Sequence, residues 1–240
     1  MIKKTKLAVF DIDGTIFRKN LAFELINELA WLGIFKKEVR TELLAHYRNW
    51  LSHKGTYEDY RKALVNLYAE NIKGCRKEDV VKAAKIVMPF YQERTYVFAE
   101  NLIKKLKSEN YKIIAVSGSP SEIVEEYNKH LKFDAVFGSV YEVNKDGIYT
   151  GGSVFEPTKG KSQVVRQYMA ENNLSLDGSY GIGDTESDVS VLEMVENPIA
   201  FNPNFNLKEI AQKNGWKIVV EKKDVIYDLS TGPVMSNNLK

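Results

Sequence analysis

The chain of 240 residues predicts an α/β fold in which a parallel sheet is interrupted early by an all-helical insertion. Three observations carry this. Short apolar runs alternate with stretches of helical periodicity, the pattern of a parallel sheet covered on both faces. Residues 18–94 show no strand pattern but repeat apolar side chains at helical spacing. Acidic and hydroxyl-bearing segments follow directly on the apolar runs, at the strand ends where open α/β sheets bind their ligands.

The first strand is residues 7–10, Leu7-Ala8-Val9-Phe10, and it runs straight into Asp11-Ile12-Asp13-Gly14-Thr15. Side chains two apart can converge on one side of such a turn, Gly14 lets the chain bend away, and Thr15 adds a hydroxyl and an amide. Such a site suits a metal ion and a phosphate; an acidic but merely solvated turn is the alternative. In the insertion, Leu21, Leu25, Leu29 and Leu32, then Leu43, Tyr47 and Trp50, then Tyr60, Leu64, Leu67 and Tyr68 mark helix faces. Their aromatics are expected to form the insertion's own small core rather than a cofactor-binding wall.

After Pro89 the pattern resumes as a helix over 96–108, feeding a second strand over 112–116. That strand ends in Ser117-Gly118-Ser119-Pro120 before a helix over 121–130. A hydroxyl and free amides facing a helix start make an anion site, with an ordinary helix cap as the competing reading. A third strand covers 135–137. Gly160-Lys161-Ser162 looks like the end of a P-loop, but that motif needs glycine where Phe155 stands, and it is rejected. Lys161, opening a helix, either meets a phosphate as a point charge or is solvated.

The fourth strand, 180–182, leads into Gly183-Asp184-Thr185-Glu186-Ser187-Asp188, and a weaker strand covers 198–201. A dinucleotide reading of Gly181-Ile182-Gly183 fails, because Glu186 replaces the third glycine. Carboxylates here suit a hard cation: magnesium is typically held by one or two of them together with a phosphate oxygen. Asp184 is the better direct ligand. Asp188 faces the site from the first helical turn, or is simply a helix-start carboxylate.

Hydrophobic residues make up 44% and charged residues 28%, without repeats or blocks of like charge, so the composition is that of a folded protein. The net charge of +2 leaves no electrostatic footprint for nucleic acid, and Lys104, Lys105 and Lys107 read as a solvated helix face. Membrane association is not expected: no run approaches the roughly 20 apolar residues of a span, and Met1-Ile2-Lys3-Lys4 leads into a strand rather than a signal-peptide core. The lone Cys75 excludes an internal disulfide and suits a reducing compartment, so a soluble cytoplasmic protein is expected and Asn173-Leu174-Ser175 is not read as a glycosylation site.

Asp11-Ile12-Asp13-Gly14-Thr15, Ser117, Lys161 and Gly183-Asp184-Thr185-Glu186-Ser187-Asp188 occur in the order and spacing of the four motifs of the haloacid dehalogenase (HAD) superfamily. Tyr149-Thr150-Gly151, Val191-Leu192-Glu193-Met194 and Gly215-Trp216 resemble its phosphoserine-phosphatase-like branch, subfamily IB. The resemblance implies a Rossmann-like parallel core of the HAD type, residues 1–17 and 95–240, with a helical cap over 18–94 inserted after the first strand. It also implies a magnesium-dependent phosphatase that hydrolyses a small phosphomonoester through an aspartyl-phosphate.

In that scheme Asp11 is the nucleophile, and Asp13 is the acid and base with a raised pKa. Mg2+ is bound by Asp11, the backbone carbonyl of Asp13 and Asp184, with Asp188 close by. Thr15, Ser117 and Lys161, with amides near Gly14 and Gly118, serve the phosphate. Substrate identity is less defined. Where phosphoserine phosphatases carry a glutamate resembling the reader of the substrate ammonium, this chain has Asn20, preceded by Arg18-Lys19, and a neutral amide cannot supply that charge. Arg61 would bind a substrate carboxylate or second phosphate, or lie on the surface. A small phosphorylated metabolite is therefore expected, with phosphoserine the less favoured candidate. A phosphotransferase of the same fold and a non-catalytic binding protein remain as alternatives. A serine hydrolase on Ser117 is less favoured still, since none of His46, His53 and His130 sits in a base motif and there is no nucleophile elbow. The oligomeric state and the role of residues 224–240 are left open.

Overall fold

Leu7, Ala8, Val9 and Phe10 are all buried, so the first strand, β1 (Thr5–Phe10), is covered on both faces and belongs at the middle of a sheet. The computed structural model, which describes residues 5–230, places it there. Ala8 and Phe10 face one hydrophobic cluster while Leu7 and Val9 face another, the period-two alternation of a strand. The same division separates Ile113 and Ala115 from Ile114 and Val116 on β2 (Lys112–Pro120).

Between these strands run α1 (Leu21–Trp31), α2 (Lys37–Leu51), α3 (Tyr57–Ile72), α4 (Lys77–Tyr91) and α5 (Val97–Ser108). After β2 come α6 (Ser121–Leu131), β3 (Ala135–Val143), β4 (Tyr149–Phe155), α7 (Lys161–Asn172), β5 (Leu174–Gly183) and the short α8 (Val189–Leu192). The described chain ends with β6 (Asn197–Phe201), α9 (Phe205–Asn214), β7 (Lys217–Lys222) and β8 (Val225–Asp228). The strands form one sheet in the order β4-β3-β2-β1-β5-β6-β7-β8. From β3 to β7 every pairing is parallel, while β4 and β8 join antiparallel at the two edges. The chain builds outward from β1 first through β2 and later through β5, so the sheet's topological switch lies at the carboxyl end of β1.

The helical stretch expected between the first two strands resolves into α1 to α4. Leu21, Leu25, Leu29, Leu43, Tyr60, Leu64, Leu67 and Tyr68 are buried as their spacing predicts, and Tyr47 and Trp50 are half-buried. Leu32 departs from the pattern: it caps the C-terminus of α1 and is exposed. α4 runs through Pro89, which sits in its last turn, and ends at Tyr91 rather than before the proline. The entry and exit of this region are tied side by side. The Arg18 N–H donates to the Arg94 carbonyl (2.8 Å), Arg18 Nε to the Thr95 carbonyl (2.8 Å), and the Tyr96 N–H to the Ile16 carbonyl (2.9 Å). The Arg18 guanidinium also lies over the Tyr96 ring, 5.0 Å from its centroid, and pairs with the buried Glu221 of β7.

Three strands, β4, β7 and β8, go beyond the five expected. β4 carries Gly151 and Gly152 and exposes most of its side chains, so it has no apolar alternation to read; it is held by backbone pairing to β3. β8 is an exposed edge. β2 continues through Pro120, so Ser117 to Ser119 lie within a strand rather than beyond its end. β5 begins at Leu174, with a shift in its register to β1 between Lys6 and Ala8. Asn173 is the left-handed C-cap of α7. Residues 1–4 and 231–240, including the Met1-Ile2-Lys3-Lys4 segment and the end of the tail, lie outside the described residues. Among the described residues no helix is long and apolar enough to cross a membrane.

Candidate active site

β1, β2 and β5 end side by side, which brings three of the sequence-singled segments together. Asp11 follows β1, Ser117 stands in β2, and Asp184 follows β5. Asp11, Asp184 and Asp188 are buried and each offers a carboxylate oxygen within 4.8 Å of the others. Lys161, brought in by the start of α7, is also buried, and its Nζ donates to Asp11 Oδ1 at 2.6 Å and Asp188 Oδ1 at 2.7 Å. Two glycines make this crowding possible. A Cβ on Gly14, whose φ is +83°, would fall 2.1 Å from Asp184 Oδ2, and one on Gly183 would fall 2.3 Å from Asp188 Cγ.

Both readings of Asp188 hold at once. Its Oδ2 accepts from the Asp184 and Thr185 N–H groups, each at 3.1 Å, forming a capping box with Thr185. Its Oδ1 is the oxygen that meets Lys161.

Asp13 stands apart from the three acids. Its Oδ1 accepts from the Leu21 N–H (2.6 Å), while Oδ2 accepts from the hydroxyls of Ser117 (2.9 Å) and Ser119 (2.7 Å). The Ser117 hydroxyl is thus turned toward Asp13 and in turn accepts from the Ser119 N–H. Ser119, which sequence reasoning did not single out, links Asp13 to the first turn of α1, because its Oγ accepts from the Ala22 N–H (3.1 Å). The readable signal was two hydroxyls two residues apart on one strand. Thr15 is buried, its N–H donates to the Ile12 carbonyl, and among the described residues its hydroxyl has no partner. Gly118 lines the cavity beside Asp11 and Lys161.

Burial dominates the electrostatics. It pushes the Asp11 carboxyl up to about 7, with the Lys161 ammonium opposing and the Asp188 and Asp13 charges reinforcing. Asp184 lies well above the usual carboxylate range, through burial and then repulsion from Asp11 and Asp188. Asp13 is raised by burial against the pull of its hydrogen bonds. Burial alone would lower Lys161, but Asp11 and Asp188 outweigh it and hold the ammonium above its ordinary value. This is an all-oxygen cluster short of positive charge, a donor set that suits a hard divalent cation.

Two cavities meet at this cluster, and Asn20, Tyr57 and Asp184 line both. The smaller, about 60 Å³, reaches Asp11, Asp13, Ser119 and Lys161. The larger, about 340 Å³, opens between Gly14 and the aromatic side chains of α2 and α3. The expectation that these aromatics serve only their own core is corrected here: Tyr47, Trp50, Tyr57 and Tyr60 pack on one another and also wall the larger cavity. Burial, then the charges of Asp184 and Asp13, hold the Tyr57 phenol far above its ordinary value, so it remains a neutral O–H. Asn20 caps α1, accepting from the Phe23 N–H at 3.1 Å. Arg61 reaches the smaller cavity with its charge already engaged by Glu58, in two bonds of 2.7 and 2.8 Å.

The family model for haloacid dehalogenase-like hydrolases matches residues 8–193, from β1 to just past α8. The chain belongs to this family. It is 29% identical over 227 residues to a phosphoserine phosphatase of Methanocaldococcus jannaschii, covering 94% of this chain and 96% of that one. It is 26% identical over 219 residues to the inhibition of morphological differentiation protein of Streptomyces azureus, covering 88% and 77% respectively. A solved structure described as a phospho-aspartyl intermediate analogue of phosphoserine phosphatase superposes with a TM-score of 0.63 at 27% identity, covering 92% of this chain and 96% of that one. Fold and family thus agree with the phosphatase-like motifs of this hydrolase.

Proposed function

We propose that the protein is a magnesium-dependent phosphatase that hydrolyses a small phosphomonoester through a phosphate carried on Asp11. The observation that carries this reading is the buried trio of Asp11, Asp184 and Asp188, within 4.8 Å of one another and bridged by Lys161. Magnesium would be held by Asp11, the backbone carbonyl of Asp13 and Asp184, with Asp188 close by. When bound it supplies the positive charge that lets a carboxylate approach a phosphate dianion.

The chain's own groups supply the rest. An Asp11 carboxylate oxygen bonds to phosphorus as the bond to the ester oxygen breaks, and Asp13 gives its proton to the departing alkoxide. Asp13 then takes a proton from the water that attacks phosphorus, which breaks the phosphorus–Asp11 bond and restores the nucleophile. Lys161, Thr15, Ser117 and the amides near Gly14 and Gly118 receive the phosphate oxygens. Ser117 would exchange its bond to Asp13 for one to a phosphate oxygen, so that substrate arrival releases one of the interactions restraining the acid. Residues 18–94 would act as a cap over the core of 1–17 and 95–240, and the lone Cys75 fits a cytoplasmic setting.

Phosphoserine itself is disfavoured as substrate, although relatives carry that name. Asn20 is neutral and committed to capping α1, and Arg61 is neutralised by Glu58. The test is hydrolysis of 4-nitrophenyl phosphate with magnesium, with chelator, and by Asp11→Asn. Turnover that needs the metal and vanishes in a folded variant supports the reading. Turnover that survives in the variant overturns it.

A further inference from the structure

The larger cavity has a composition that restricts what can fill it. Its walls are Phe23, Tyr47, Trp50, Tyr57, Tyr60 and Tyr96, with Trp50 stacked on Tyr60 at 5.4 Å and 10° and Tyr57 edge-on to Trp50 at 5.2 Å. A volume of about 340 Å³ falls within the ~300–1,000 Å³ usual for small-molecule sites. All but Tyr96, which packs on Phe201, touch one another, so these rings form a continuous apolar wall rather than an open cage around a point cation.

The polar groups on the same walls are one-sided. Asn20, Asn202 and Asn204 have their side-chain oxygens committed to the backbone N–H groups of Phe23, Glu221 and Leu207, which leaves the amide N–H groups of Asn20 and Asn202 for the cavity, while the Asn204 amide donates to Glu186. Lys19 and Arg18 add further donors, though Lys19 is shared with Glu24 and Arg18 with Glu221. Among the described residues lining the cavity, Asp184 is the only carboxylate, and it belongs to the metal-ligand cluster. An ammonium group placed here would therefore find aromatic faces and cations but no free anion. A planar ring bearing acceptor atoms would find both flat surfaces and donors.

We infer that the alcohol half of the substrate is an acceptor-bearing aromatic ring system without an ammonium group, seated against Trp50 and Tyr57 while its phosphate lies at Asp11. The inference rests on the phosphatase reading and deepens it, from phosphomonoesters in general to those of ring-bearing alcohols. Tyr57 stands at the junction of the two cavities, in reach of the bond between ring side and phosphate side.

The test compares esters of similar intrinsic reactivity, so that the ratio of kcat/KM reads recognition rather than leaving-group chemistry. Adenosine 5′-monophosphate and pyridoxine 5′-phosphate carry acceptor-bearing rings; glycerol 3-phosphate and O-phosphoserine do not, and all four are esters of primary alcohols. A preference of about tenfold or more for the ring-bearing esters is expected, the scale of base–aromatic stacking. In Trp50→Leu that ratio should fall toward unity, while Trp50→Phe, which keeps a ring, should retain most of it. Glycerol 3-phosphate or phosphoserine turned over as well as the ring-bearing esters overturns the inference and leaves the phosphatase reading standing. No turnover of any ester with magnesium, and none of 4-nitrophenyl phosphate, overturns both.

Discussion

Replacing Asp184 by asparagine separates what the acidic cluster costs the empty fold from what it gives the working enzyme. Asp184 faces Asp11 and Asp188 with oxygens within 4.8 Å, and its side chain makes no hydrogen bond to the described protein that asparagine would lose. At an effective dielectric of about 20, two unit charges at that separation repel by about 3.5 kcal/mol. Two carboxylates press on Asp184 and one ammonium, Lys161, offsets about one of them, which leaves a net burden of roughly 3 kcal/mol. The new amide can also donate to its neighbours. In chelator, at a pH high enough to ionise all three acids, Asp184→Asn should therefore melt about 6–12 °C above the parent, at about 2–4 °C per kcal/mol for a chain of this size. Added magnesium should reverse the order, raising the parent's melting temperature and not the variant's. With magnesium, kcat/KM should drop about hundredfold or more, the loss of several kcal/mol of charge stabilisation. Circular dichroism melts with and without metal decide the matter. A variant that melts at or below the parent in chelator would refute the argument that the cluster is short of positive charge.

The other predictions follow from close contacts already described. Gly14→Ala puts a methyl group 2.1 Å from Asp184 Oδ2 at a φ of +83°, so it should displace that carboxylate and abolish the magnesium-dependent rise in melting temperature along with most activity. Ser119→Ala removes a donor to Asp13 and an acceptor for the Ala22 N–H; it should cost about 1–2 kcal/mol of stability in urea unfolding. The same variant should slow alkyl phosphates more than 4-nitrophenyl phosphate, whose leaving group needs no proton, whereas a purely structural loss would slow both alike. Arg18→Met leaves Glu221 buried with the Phe98 N–H as its remaining strong partner, and should cost about 2–3 kcal/mol, measured by denaturant midpoint.

How far the sequence could be read depends on what kind of interaction builds each part. β1 and the acidic turn after it were legible because a strand apolar on both faces gives way abruptly to charge, and a central parallel strand allows few other arrangements. Of the four helices inserted before α5, the faces of α1, α2 and α3 were legible in their apolar spacing, but spacing names a face and not its neighbour. Tyr47, Trp50 and Tyr60 were read as core from their periodicity, and the cavity they line depends on where α2 and α3 lie against β1. β4 and β8 were not legible, since backbone pairing at a sheet edge asks little of side chains that stay exposed. Asp188 shows a further limit: the spacing of Thr185 and Asp188 is that of a capping box, which is compatible with a role toward Lys161 and cannot be told from it in one dimension.

The helical layer is joined to the sheet at more than its paired linkers, and this governs how a ligand gets in and out. Tyr68 of α3 packs on Tyr141 of β3 with ring centroids 5.0 Å apart, α4 lies along α6, and one apolar cluster runs through all of them. Swinging the four helices away as a block would wet several of these side chains, each worth about 1.5–3 kcal/mol of burial. The corner where α2 meets α3 bears no such load. Residues 52–56 there are exposed, and the half-buried rings of Trp50 and Tyr57 flank them. The least costly route for a substrate would be a local parting of that corner, in which the rings that would hold the guest would also be the ones to yield to admit it. Affinity and release rate at such a doorway are set by the same few contacts, so tightening one slows the other.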